Sequence, residues 1–205
     1  TGVQTCVLPI CIREVESEKR DLFMQLDKLV GPDVILATNS SYMVSSQFVD
    51  CVSNPSRLAN AHYYNPTLVM KFVEVVQGEH TAPETAEALM DFCRGCGKDP
   101  IWMKKEIAGF AANRIMRVVT REARYMVQNG YLTPQEMDKA CEKGLNYPMG
   151  PFRLNDLTGI DLTYDMLKAE YEKTGVKPDC YDIYEQMVKE GRLGKKSGHG
   201  FYDYE

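Results

Sequence analysis

The sequence has no uninterrupted apolar stretch approaching the roughly 20 residues of a membrane-spanning helix, because charges break every apolar run. It has no excess of positive charge either. Its 24 basic residues stand against 29 acidic ones, a net −5, so the surface as a whole offers no cationic footprint for nucleic acid or an anionic membrane, and any anionic ligand must be held locally. No signal-peptide pattern opens the chain, and seven cysteines are an odd number in a chain too long to need stapling; a soluble protein in a reducing, cytoplasmic setting is the expectation. Only three histidines are present, which narrows the choice of a proton carrier near neutral pH. What is there in quantity, 44% hydrophobic and 26% charged residues over 205 positions, is the composition of a globular protein with a buried core, and it excludes disorder and a collagen-like repeat.

Residues 1–10, TGVQTCVLPI, have no initiator Met, no helical or alternating period, and Pro9 where an apolar strand would otherwise continue. The decapeptide resembles a translated sequencing-library adapter and is expected to be a non-native extension outside the fold. From Glu16 to Val30, Leu22, Phe23, Leu26, Leu29 and Val30 fall at helical spacing and Gly31-Pro32 stops the run. Residues 34–38 are short, apolar and partly β-branched, which suits a buried strand opening into the polar Asn39-Ser40-Ser41 loop, where open α/β sheets hold ligands. Further strands are predicted at 58–63, 71–76 and 100–103. A helix is predicted between the last two, opened by a capping box at Thr81-Ala82-Pro83-Glu84 and closed by Gly95-Cys96-Gly97. After Gly109 only helices are predicted: Ile115, Val118, Val119, Ala123 and Met126 keep the 3.6 period to Asn129-Gly130. A second helix opens at Thr133-Pro134-Gln135-Glu136, two more span 161–173 and 181–190, and Pro148, Gly150 and Pro151 break the chain between them. The reading is an α/β domain over residues 11–106 followed by an all-α domain over 107–205, with an ordered Gly- and aromatic-rich tail from Gly194 to Glu205.

Among the three histidines only His62 sits in an apolar, aromatic setting at the end of a predicted strand. Glu74 follows on the next apolar strand, where a lone carboxylate is costly without a partner. A buried Glu beside a His would fix its tautomer and stabilise the imidazolium, as a His taking a proton from an alcohol requires. The spacing equally allows a satisfied core His and an edge-strand charge. Cys93-Arg94-Gly95-Cys96 has CxxC spacing, but no second CxxC or His pair completes a tetrahedral metal site, so a helix terminus is expected there and no metal. His80 and His199 receive no role.

The stretch AHYYNPTLVMKFVEV from Ala61 to Val75 resembles the signature AHxFNPxxxMKLVEV of the L-3-hydroxyacyl-CoA dehydrogenases. The similarity extends through TNSS at Thr38 to Ser41, AGFAANR at Ala108 to Arg114, YPMGPF at Tyr147 to Phe152 and GKKSGHGFYDY at the end. The resemblance implies the C-terminal half of a Rossmann-type NAD-binding domain followed by a helical C-terminal dimerisation domain. It makes His62 the catalytic base, Glu74 its orienting carboxylate, Ser41 a contact to nicotinamide and substrate, and Asn113 the substrate-side amide. It places Glu14, Lys19, Asn65, Lys196 and again Ser41 around NAD.

The resemblance also implies reversible oxidation of an L-3-hydroxyacyl-CoA to the 3-ketoacyl-CoA, as in fatty-acid β-oxidation or butyrate-type fermentation, by a homodimer paired through its helical domain. The glycine-rich G-x-G-x-x-G turn and the acidic residue some 20 positions beyond it are absent, so the chain is expected to be an N-terminally truncated and inactive fragment. Two alternatives stay open: a sister dehydrogenase of a free hydroxy or sugar acid, and a non-catalytic, crystallin-like structural or dimerisation protein.

Overall fold

A computed structural model of the chain describes residues 7–205. Five strands form one sheet in chain order: β1 (Val7–Ile10), β2 (Ile35–Thr38), β3 (Leu58–Tyr63), β4 (Phe72–Val76) and β5 (Asp99–Met103). The first three run parallel, β4 runs antiparallel to β3, and β5 is parallel to β4. Two helices cover the sheet, α1 (Glu16–Leu29) between β1 and β2 and α2 (Pro83–Gly95) between β4 and β5.

Side-chain alternation assigns each helix its face. Leu36 and Leu58 join Ile10, Phe48 and the α1 residue Phe23 in one apolar cluster. Their neighbours Ile35, Ala37, Ala59 and Ala61, with Val73 and Val75, join Leu89, Met90 and Cys93 of α2 in the other. Coverage on both faces explains why every residue of β2 is buried and why its sequence is continuously apolar.

Three details depart from the expectation. Residues 1–6 lie outside the described residues, but Val7–Ile10 is no loose extension: it pairs with β2, and Ile10 is buried in the core. Pro9 is accommodated because β1 is an edge strand, where a missing N–H breaks no inner ladder. The capping box at Thr81 does not form. The hydroxyl donates to the Leu58 carbonyl (2.6 Å) and accepts from the Gly78 amide (3.0 Å), and α2 begins after Ala82 with no side-chain cap. The break read at Pro148 to Pro151 is also a helix start, described below.

The chain divides into two compact units, residues 1–114 and 115–205. The division falls in the first turn of α3 (Ala112–Gln128), where the amides of Ala111 and Ala112 are hydrogen-bonded to Glu74 of the sheet.

The second unit contains the rest of α3 with α4 (Pro134–Gly144), α5 (Pro151–Thr158), α6 (Ile160–Thr174) and α7 (Tyr181–Lys189). Thr133 caps α4 through the predicted capping box. α5 starts at a proline whose N–H is not needed, and its next two amides donate to Asp138 of α4 (both 2.8 Å), so the cap arrives from another helix. Phe201 packs against both apolar clusters of this unit, and Asp156 accepts from the Phe201 and Tyr202 amides (both 2.9 Å). A Cβ at Gly200 would overlap Asp156, so glycine is required where the tail crosses it.

Candidate active site

The antiparallel register of β3 and β4 sets His62 directly opposite Glu74. Both are buried, and Glu74 has no exposed surface at all. Short parallel strands alone would not bring these residues together; the turn of direction between β3 and β4 does. His62 Nδ1–H donates to Glu74 Oε2 at 2.8 Å. The opposite nitrogen, Nε2, lies 3.2 Å from Ser41 Oγ, whose hydroxyl donates to it once Nδ1 carries the proton. Ser41 stands in the loop at the carboxyl end of β2, where the expectation placed a ligand-facing segment.

Glu74 is fully committed. Tyr64 donates its hydroxyl to the same Oε2 (2.8 Å), and the amides of Ala111 and Ala112 donate to Oε1 (2.9 and 3.0 Å). Burial pushes the Glu74 carboxyl up, but the hydrogen bonds from His62, Ala112, Tyr64 and Ala111 together outweigh it and hold the group below the usual carboxylate range, so it is ionised at neutral pH. Burial, then the bond to this carboxylate, raises the Tyr64 phenol, which therefore stays a donor. The two amides point at Oε1 because Gly109 (φ 77°) and Phe110 (φ 47°) turn the chain in the left-handed region. For Phe110 that conformation costs roughly 1–2 kcal/mol. The Phe110 ring is placed 5.2 Å from that of His62, and the Tyr64 ring lies 4.6 Å away, so the imidazole is held between aromatic walls.

Glu14 anchors the Ser41 loop rather than standing free. Its carboxylate accepts from the Ser40 hydroxyl and from the amides of Ser41 (3.1 Å) and Tyr42 (3.2 Å), and it ion-pairs with Lys19 (3.2 Å), which is only 1% exposed. Burial raises the Glu14 carboxyl, while Ser40 and Lys19 more than offset this and leave it lowered. A second buried knot fixes the following turn: Asn60 Oδ1 accepts the Ser45 amide (2.8 Å), and the Ser45 hydroxyl donates to Glu106 (2.6 Å) beside His80.

Of the residues singled out from the sequence, His62, Glu74, Ser41, Glu14 and Lys19 thus form one connected cluster. Asn113 follows directly on Ala112 at the start of α3 and makes no side-chain hydrogen bond among the described residues. Asn65 is exposed, with a single long contact from Thr67 (3.5 Å). Lys196 belongs to the second unit, where it pairs with Asp161 (2.6 Å). Tyr64, Phe110 and the two amides escaped the sequence reading, since a Tyr and a Phe in an apolar stretch read first as core and a backbone donor leaves no residue-type mark. Cys93 lies buried in α2 beside the Tyr63 hydroxyl, and Cys96 is exposed at its end.

The nicotinamide end of a dinucleotide fits this cluster: a hydroxyl and an imidazole nitrogen face one point at the carboxyl ends of parallel strands, on a loop pinned in place by Glu14. No glycine-rich turn is present for the pyrophosphate.

Residues 10–107 match the family model described as "3-hydroxyacyl-CoA dehydrogenase, NAD binding domain" and residues 109–204 that described as "3-hydroxyacyl-CoA dehydrogenase, C-terminal domain". A probable 3-hydroxybutyryl-CoA dehydrogenase of Bacillus subtilis is 35% identical over 195 residues, covering 95% of this chain and 68% of that protein. The mitochondrial hydroxyacyl-coenzyme A dehydrogenase of Mus musculus is 35% identical over 188 residues, covering 91% of this chain and 60% of that one. The crystal structure of an (S)-3-hydroxybutyryl-CoA dehydrogenase from Ralstonia eutropha superposes with a TM-score of 0.83 at 30% identity, over 97% of this chain and 70% of that one. The chain spans about two thirds of the length of these relatives.

Proposed function

The chain belongs to the 3-hydroxyacyl-CoA dehydrogenase family, and from that membership we propose that it carries the proton-transfer and nicotinamide-side machinery for reversible oxidation of an L-3-hydroxyacyl-CoA to the 3-ketoacyl-CoA. The observation that carries the reading is the cluster of Glu74, His62 and Ser41, with Nε2 of His62 as the acceptor facing the Ser41 hydroxyl. NAD, when bound, supplies the hydride acceptor. His62 Nε2 takes the hydroxyl proton of the substrate, displacing the Ser41 hydroxyl, which then donates to the substrate oxygen instead. Glu74 stabilises the imidazolium through Nδ1–H, and the aromatic walls exclude water from that contact. In reduction the imidazolium returns the proton to the developing alkoxide. Asn113, one residue beyond the amides that hold Glu74, is assigned to the thioester side. Asn65 and Lys196 are assigned to the cofactor on the family resemblance alone.

The experiment is NADH-dependent reduction of acetoacetyl-CoA by this chain and by the same chain preceded by the upstream segment its relatives carry. We expect turnover in the extended chain only, abolished by His62→Ala with less than about 1% remaining, since positioned general acid–base groups contribute roughly 10²–10⁴. Turnover by the unextended chain would overturn the inference drawn from the missing glycine-rich turn; undiminished turnover in His62→Ala would overturn the assignment of the base. A second copy of the chain, paired through the helical unit, is part of the same proposal. Its support is the apolar run Ile115, Met116, Val118 and Tyr125 that α3 leaves exposed.

A further inference from the structure

Two positions in the stretch from Ala61 to Val75 depart from the signature AHxFNPxxxMKLVEV at residues it specifies: Tyr64 stands for its Phe and Phe72 for its Leu. The two side chains touch, with ring centroids 5.3 Å apart. The consequence of the first departure is one additional hydroxyl, and that hydroxyl lies on Glu74 Oε2, the oxygen that also accepts His62 Nδ1–H. We propose that Tyr64 is a positioning residue of the reaction, whose hydroxyl competes with the imidazolium for Glu74 Oε2 and so weakens the base that His62 presents to substrate.

The argument is electrostatic. A carboxylate oxygen that already accepts a hydroxyl carries less charge for a second donor, and the interaction it loses is greatest when that donor is the cationic imidazolium. The Phe72 ring lies tilted beside that of Tyr64, their planes 48° apart. Among the described residues no other group places a hydrogen bond on Oε2 beside the imidazole. The turn before α3 contributes the Ala111 and Ala112 amides to the opposite oxygen and the uncharged Phe110 ring. The loop after β2 contributes Ser41 and Tyr42, and the Glu14–Lys19 pair behind that loop is self-neutralising.

The test uses Tyr64→Phe, which keeps the ring against His62 and Phe72 and removes only the hydroxyl. The imidazole resonances of His62, assigned by their loss in His62→Ala, are followed against pH by NMR in the chain and in the variant. The expected result is a His62 midpoint moved upward in Tyr64→Phe, accompanied by an upward move of the Glu74 carboxyl carbon midpoint. An unmoved or lowered His62 midpoint overturns the proposal, and so does loss of the folded spectrum, which would make the hydroxyl a structural tie.

The catalytic consequence rests on the dehydrogenase reading, whereas the resonance titration does not, so the two can fail separately. In the extended, active chain kcat/KM of the variant falls on the acid side of the profile, by up to about threefold, and equals or exceeds the parent on the alkaline side. Microscopic reversibility makes the crossing the same in both directions of the reaction. A uniform loss at every pH overturns the proposal.

Discussion

Glu74 shows how one buried carboxylate divides into separable contributions. Four donors reach it and none of it meets solvent, so Glu74→Gln, which keeps the shape, loses charge-assisted bonds and turns an amide N–H₂ toward existing donors. The expected cost is about 1.5–3 kcal/mol of stability, read from urea midpoints at neutral pH. The sign of its pH dependence follows from the direction of the shift. Folding lowers the carboxyl below its ordinary value of 4.5, so the stabilisation is complete above that value and disappears as pH falls through the lowered one. At the acid end, where the carboxyl itself takes a proton, the gap between the chain and Glu74→Gln should therefore close; a gap that persists there undiminished would refute the assignment of an ionised Glu74. His62 and Glu74 were legible in the sequence because an unpaired carboxylate in an apolar strand demands a partner. Tyr64 was not, because its use depends on a register that only the folded sheet sets.

At the level of elements, short apolar runs located β2 to β5, helical periodicity located α1 and α3, and start and stop signals placed α2 and α4; α6 and α7 were legible as well. Two of the failures involve polar groups whose partners are distant. Thr81 offered a capping box, but the Leu58 carbonyl takes its hydroxyl. Pro148, Gly150 and Pro151 offered a break, but α5 begins there because Asp138 supplies from α4 the acceptor that no local residue provides. Asp138→Ala is accordingly expected to destabilise the second unit by about 1–3 kcal/mol, the cost of leaving buried amides unpaired, and to lower its thermal midpoint. Ser or Asn at the same position should recover part of the loss; no change in midpoint would show that α5 is held by packing alone. β1 was missed for a related reason, since a four-residue edge strand containing proline has no period to read.

At the scale of the whole molecule, a net charge of −5 and exposed apolar residues on α3, α6 and α7 coexist. Light scattering coupled to gel filtration should return about twice the 23.3 kDa of one chain, and Ile115→Lys with Val118→Lys should return a single chain. A monomer in the parent chain would remove the proposed pairing. Within the first unit Glu74 serves two segments at once. Its Oε1 is the acceptor for the segment that leads out of the sheet into α3, while its Oε2 serves His62. The carboxylate is thus a thermodynamic link with two ports. By reciprocity, whatever draws electron density toward the imidazole loosens the Ala111 and Ala112 amides, and whatever tightens those amides weakens the hold on the imidazolium. Solvent exchange at two backbone protons in the connecting segment therefore keeps a record of the charge on His62.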